Sequence, residues 1–93
     1  MIVIDNNSTD ASHEIISRLR ESFTFLYIRN EQNIGPVKNW IEGIRQAKGD
    51  YLKLLFSDDF LFPNAVQDLV EAIENSIHPV GFAYGTILTG NTL

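Results

Sequence analysis

The chain has 93 residues, 12 of them acidic and 7 basic, for a formal net charge of −5, and it contains no cysteine. A length of this order supports one small domain, 1–93, burying roughly 60–70% of the surface its unfolded form exposes. The acidic balance (pI ≈ 4.7) and scattered Lys and Arg exclude the clustered positive charge that nucleic acid or an anionic membrane requires. Without cysteine there are no disulfides, thiolate metal sites or cysteine nucleophiles, which leaves oxygen ligands and at most His13 and His78 for a metal. No apolar run reaches the roughly 18 residues of a membrane span, and no basic stretch leads into a signal-type apolar region at the N-terminus. A cytoplasmic protein without a membrane span is expected.

Met1-Ile2-Val3-Ile4 is a continuous, β-branched apolar run closed by the polar cluster Asp5 to Asp10, which predicts a buried strand running into a turn. From Ala11, Ile15, Ile16, Leu19 and Phe23 recur on one helical face, with Thr9 or Asp10 available as a cap. Phe25 to Arg29 resumes strand character, and Asn30 to Gly35 punctuates it. Pro36 suits a first helical turn; Val37, Trp40, Ile41, Ile44 and Ala47 follow at helical spacing, and Gly49 offers a left-handed cap. Trp40 shares that apolar stripe and is assigned to the core rather than to stacking on a base. Tyr51 to Phe56 predicts a third strand. A third helix follows, with Val66, Leu69, Val70, Ile73 and Ile77 on its apolar face, and Val80 to Leu88 predicts a last strand weakened by Gly81 and Gly85. The order β-α-β-α-β-α-β favours an α/β, Rossmann-like fold, a mostly parallel sheet with flanking helices.

In an open parallel sheet, ligands bind beyond the carboxyl ends of the strands. Asp5 and Asn6 follow the first predicted strand, and Asp58 and Asp59 follow the third. Either pair also reads as turn or capping residues, since Asp and Asn bond their own backbone in such places. In the functional reading, Asp58 and Asp59 supply oxygen to a hard cation, which commonly takes only one or two protein carboxylates and completes its shell with water and phosphate. Asn6 carries both a donor and an acceptor, as a uracil edge needs.

These pieces, taken in order, resemble the family 2 glycosyltransferases. IVIDNNSTD is similar to the family's V-V-D-D-G-S-T-D turn. Asn33-Ile34-Gly35 with Asn39 and Gly43 is similar to its N-x-G and N-x-x-x-G run, and GDYLKLLFSDDFLFPNAV resembles its metal-motif block. The resemblance spans Ile2 to about Thr86. It implies part of a GT-A nucleotide-diphospho-sugar-binding domain, whose enzymes transfer a sugar from a nucleotide donor, a UDP-sugar being the first choice, to an acceptor hydroxyl with Mn²⁺ or Mg²⁺. It also implies nucleotide-binding roles for Asp5, Asn6 and Asp58, with Lys38 near phosphate or simply solvated, and metal-binding roles for Asp58 and Asp59.

Three departures accompany the resemblance. Phe56 stands where many relatives have the first metal-motif Asp, which removes one carboxylate. Asn7 replaces the turn glycine, and Asn is the residue that best tolerates left-handed backbone. The chain also starts at what resembles the family's second strand and stops before its acceptor half and general base. No catalytic residue is therefore assigned, and the 93 residues alone are expected to be inactive. An unfilled strand position favours a homodimer through exposed strand edges. Two rival classes are a non-catalytic association fragment and a phosphoacceptor receiver-like module; the latter lacks its late lysine. His13 and His78 lack ligand-spaced partners and are assigned to the surface.

Overall fold

The computed structural model describes residues 1–89. Its elements are β1 (Ile2–Asp5), α1 (Ser12–Leu19), β2 (Leu26–Arg29), α2 (Pro36–Gln46) and α3 (Ala65–Glu74). They fall in two compact units, Met1–Leu52 and Lys53–Leu93. No helix among the described residues is long and apolar enough to cross a membrane.

The first unit is built on a parallel pair. Ile2 lies opposite Leu26, Val3 opposite Tyr27, Ile4 opposite Ile28 and Asp5 opposite Arg29. Parallel strands need a crossover between them, which α1 supplies. Because side chains alternate along a strand, Ile2, Ile4, Leu26 and Ile28 share one face, and Val3, Asp5, Tyr27 and Arg29 share the other. Helix α2 lies against the first face, where its Gly43 comes so close to Ile4 that a Cβ would stand 3.0 Å from Ile4 Cδ1. Helix α1 serves the second, with its His13 ring stacked on Tyr27 at 5.8 Å between centroids. Beside that stack, Ile16, Leu19, Phe23, Phe25, Val3 and Met1 line an apolar hollow of about 350 Å³. Helices on both faces of a parallel pair make this an α/β unit consistent with part of a GT-A, Rossmann-like fold.

The helix ends follow local chemistry. Asp10 Oδ1 accepts the Ser12 N–H at 2.9 Å, while Ala11 holds the N-cap position of α1 itself. Gly35, at φ 83°, turns the chain into α2 with Pro36 in its first turn. The expected left-handed cap at Gly49 is not used. Helix α2 ends at Gln46 with Ala47 already extended, its N–H donating to Ile44 O.

Two expected strands are absent. Tyr51 to Phe56 and Val80 to Leu88 are irregular, and the sheet among the described residues holds β1 and β2 alone. A strand exists through its ladder and a parallel one through cover on both faces, and the residues of these segments are largely exposed. Ile77, expected on the third helical face, lies beyond the end of α3. Nor do the apolar stripes form a closed core: Val37 is 56% and Trp40 39% exposed, so the core assignment of Trp40 is corrected. Helix α2 turns Asn39 and Gly43 towards β1, and its apolar stripe lies on another side of the helix.

The Gly43 contact makes a prediction about stability. Gly43→Ala should be nearly neutral, because its methyl meets only the movable end of Ile4, whereas Gly43→Val should cost about 1–3 kcal/mol through overpacking. Urea unfolding midpoints of the two variants check this.

Candidate functional site

The carboxyl end of β1 carries Asp5, which at 4% exposure is the only buried residue among those described. A buried carboxylate needs partners. Its Oδ1 accepts the Ser8 N–H at 2.7 Å, and its Oδ2 accepts the Tyr27 hydroxyl at 3.2 Å and lies 3.3 Å from Arg29 Nε. With its hydroxyl hydrogen pointed at Asp5, Tyr27 Oη faces His13 Nδ1 at 2.9 Å as an acceptor, with His13 in the tautomer protonated at Nδ1, so a chain of contacts runs from α1 to the strand end. His13 is thus part of this support and not a mere surface residue. Arg29 Nη2 also donates to Ser8 O at 3.1 Å. Burial pushes the Asp5 carboxyl up, but Ser8, the Tyr27 hydroxyl and the Arg29 charge outweigh it and hold the group below its ordinary value. The Tyr27 hydroxyl is pushed up by burial and by its bond to that carboxylate.

This arrangement shapes the turn that follows. Asn7 takes the left-handed conformation, φ 63°, which Asn accepts more readily than other non-glycine residues. Asn6 then points its amide across to the segment after β2. Its Oδ1 accepts from Asn30 Nδ2 at 2.9 Å and from the Ile34 N–H at 3.0 Å, and its Nδ2 donates to Asn33 Oδ1 at 3.0 Å. Asn30 Nδ2 also donates to Asn39 Oδ1 at 2.9 Å, and the Gly35 N–H donates to Asn33 Oδ1 at 2.9 Å. Asn6 and Asn30 are the first residues after their respective strands, so this amide network forms the rim where a parallel sheet receives ligands.

Of the residues singled out from sequence, Asp5 and Asn6 are brought together here, Asp5 as the buried support and Asn6 at the rim. Lys38 sits exposed in the first turn of α2. Asp58 and Asp59 belong to the second unit, exposed in a turn closed by the Asp59 N–H donating to Phe56 O at 3.1 Å. Among the described residues no three His, Asp or Glu gather in a way that could hold a metal. Tyr27, Arg29 and Asn30 are site residues not singled out from sequence. The one available signal was that Asn30 stands after its strand as Asn6 does after its own.

The state of Asp5 has a pH consequence. A depressed native pKa contributes stability in full above the unfolded value of 3.8 and loses it as pH falls through the native value. Acid unfolding should therefore steepen below that point in the parent chain and flatten in Asp5→Asn. Asp5→Ala should lower stability by about 2–3 kcal/mol, against less than about 0.5 kcal/mol for the exposed Asp58→Ala, as read by urea titration.

Comparison with known proteins bears on what this rim serves. The model of the family described as "Glycosyl transferase family 2" matches residues 1–91. An uncharacterized glycosyltransferase of Mycoplasma pneumoniae is 35% identical over 79 residues, 82% of this chain and 26% of that protein. The abequosyltransferase RfbV of Salmonella typhimurium is 39% identical over 61 residues, 63% of this chain and 18% of its own length. A poly-beta-1,6-N-acetyl-D-glucosamine synthase of Staphylococcus aureus is 28% identical over 71 residues, covering 76% and 17% respectively. The chain thus spans about a quarter or less of these relatives. No solved structure gives a significant match.

Proposed function

Because the chain belongs to glycosyl transferase family 2, we propose that it supplies part of the donor side of such an enzyme, binding a nucleotide-diphospho-sugar and a divalent cation for sugar transfer to an acceptor hydroxyl. The observation that carries this reading is the polar rim of Asn6, Asn30 and Asn39 at the carboxyl end of a parallel pair, within a match that covers residues 1–91. On this reading Asn6 meets the uncharged part of the nucleotide, Asp5 holds the turn in place, and Lys38 approaches phosphate.

Asp58 and Asp59 are the residues that would hold Mn²⁺ or Mg²⁺. Their donor set fits such an ion: hard carboxylate oxygens on adjacent residues of an exposed turn, few enough that a diphosphate would complete the shell. The bound cation would offset the charge on the departing diphosphate. Phe56, at the start of the same turn, brings no oxygen from its side chain. The single-domain organisation of 1–93 and a cytoplasmic location form part of the same proposal.

Calorimetric titration of the 93-residue chain with nucleoside diphosphates, with and without Mn²⁺, tests this. Metal-dependent binding that Asp59→Ala weakens at least tenfold is expected, without turnover of a radiolabelled donor by the chain on its own. Absence of heat for every diphosphate sinks the reading.

One observation favours a second reading, association with another copy. Among the described residues β1 is paired along one edge only, beside the apolar hollow lined by Val3, Ile16 and Phe25. Light scattering should show a homodimer at micromolar concentration; a monomer throughout that range would dismiss it.

A further inference from the structure

The amide network has a polarity, and two backbone groups set it. A backbone N–H can only donate, so the Asn6 atom facing Ile34 N is oxygen and the Asn33 atom facing Gly35 N is oxygen. Every other amide then follows in turn. Asn6 must present nitrogen to Asn33 Oδ1, Asn30 must present nitrogen to Asn6 Oδ1, and Asn39 must present oxygen to that same Asn30 nitrogen. Both lone pairs of Asn6 Oδ1 are engaged, and so are both hydrogens of Asn30 Nδ2.

What is left for a ligand is therefore weighted towards donors. Among these side chains Asn6 keeps one N–H, and Asn33 and Asn39 keep their Nδ2 groups, against which stand the carbonyl of Asn30 and the second lone pair of Asn39 Oδ1. The spare donors of Asn6 and Asn33 sit on two side chains in direct contact at 3.0 Å. Asp5 offers no accessible acceptor, being buried with both oxygens bonded. The match of Asn6 to a uracil edge needs it to supply an acceptor as well as a donor, and that acceptor is consumed within the protein.

Resting on the nucleotide-binding reading above, we propose that this rim selects a base edge with two neighbouring hydrogen-bond acceptors and discriminates against uracil. Along the uracil edge donor and acceptor alternate, so two adjacent N–H groups cannot each take an acceptor of their own there and have to share one carbonyl oxygen. Cytosine offers N3 beside O2, and guanine offers N7 beside O6. Either edge satisfies the Asn6 and Asn33 donors together, and the Asn30 carbonyl suits the exocyclic amine that cytosine carries next to N3. A neutral amide rim suits an uncharged base edge better than phosphate, which draws on charged groups.

Titration of the 93-residue chain with CDP, GDP, UDP and ADP at one Mn²⁺ concentration tests this. One of CDP and GDP should bind about tenfold more tightly than UDP and ADP, and whichever leads identifies the base. The variant Asn33→Asp keeps the oxygen that Asn6 and Gly35 use and replaces the Nδ2 donor by an acceptor, at an exposed position where folding is expected to be undisturbed. It should abolish the preference. UDP or ADP binding as tightly as the others, or a preference that survives Asn33→Asp, overturns the selectivity and leaves nucleotide binding standing. Failure of all four to bind overturns both.

Discussion

Burying a carboxylate at the end of a strand is costly, and the first unit is arranged around meeting that cost. Asp5 takes a backbone N–H from the turn, a hydroxyl from β2 and a guanidinium from the residue opposite it in the ladder. These bonds tie down two stretches of chain, the turn and the end of β2. The Ser8 contact closes the turn and so fixes where Asn6 points; the Tyr27 and Arg29 contacts hold the end of β2 level with the end of β1. Through Tyr27 the same carboxylate reaches His13, which sets the first turn of α1 against the sheet. With no apolar residue fully buried among those described, these directional bonds carry much of what a larger core would supply.

The two faces of the parallel pair divide the work. The aliphatic face of Ile2, Ile4, Leu26 and Ile28 receives α2 at close range because Gly43 presents no side chain to Ile4. The other face carries the polar chain from Asp5 to His13 and, further from the strand end, the apolar hollow. Hydrogen bonds are thus concentrated at the carboxyl end, where the rim amides sit, and apolar surface remains uncovered at the amino end and along α2.

Much of this was legible in the residues. Apolar runs at Ile2–Asp5 and Leu26–Arg29, helical spacing over α1, α2 and α3, and Pro36 after Gly35 are local signals, and local signals survive. The motif blocks led to the family and to the α/β class. Strand pairing is not local: the apolar runs at Tyr51 to Phe56 and Val80 to Leu88 announce hydrophobicity without saying whether a ladder partner exists. Helix α2 misled in another way. Its stripe of Val37, Trp40, Ile41 and Ile44 points to a buried face, yet the close approach to β1 is made at Gly43. At the site, Asp5 and Asn6 were visible as strand-end residues. That Asp5 is consumed by its neighbours, and that Asn6 has already given away its oxygen, depends, beyond the local Ser8 bond, on residues 20 to 30 positions distant.

The closed polarity of the asparagine network also constrains how such a rim can change over evolutionary time. Reversing any one amide would set oxygen against oxygen or nitrogen against nitrogen at the next, so an exchange at residue 6 reaches residues 30, 33 and 39. Effects of substitutions within this set are non-additive by construction. A lineage moving from an amide to an acid at position 6 has to pass through a mismatched neighbour or alter two positions together, and a preference once established here is correspondingly hard to reverse.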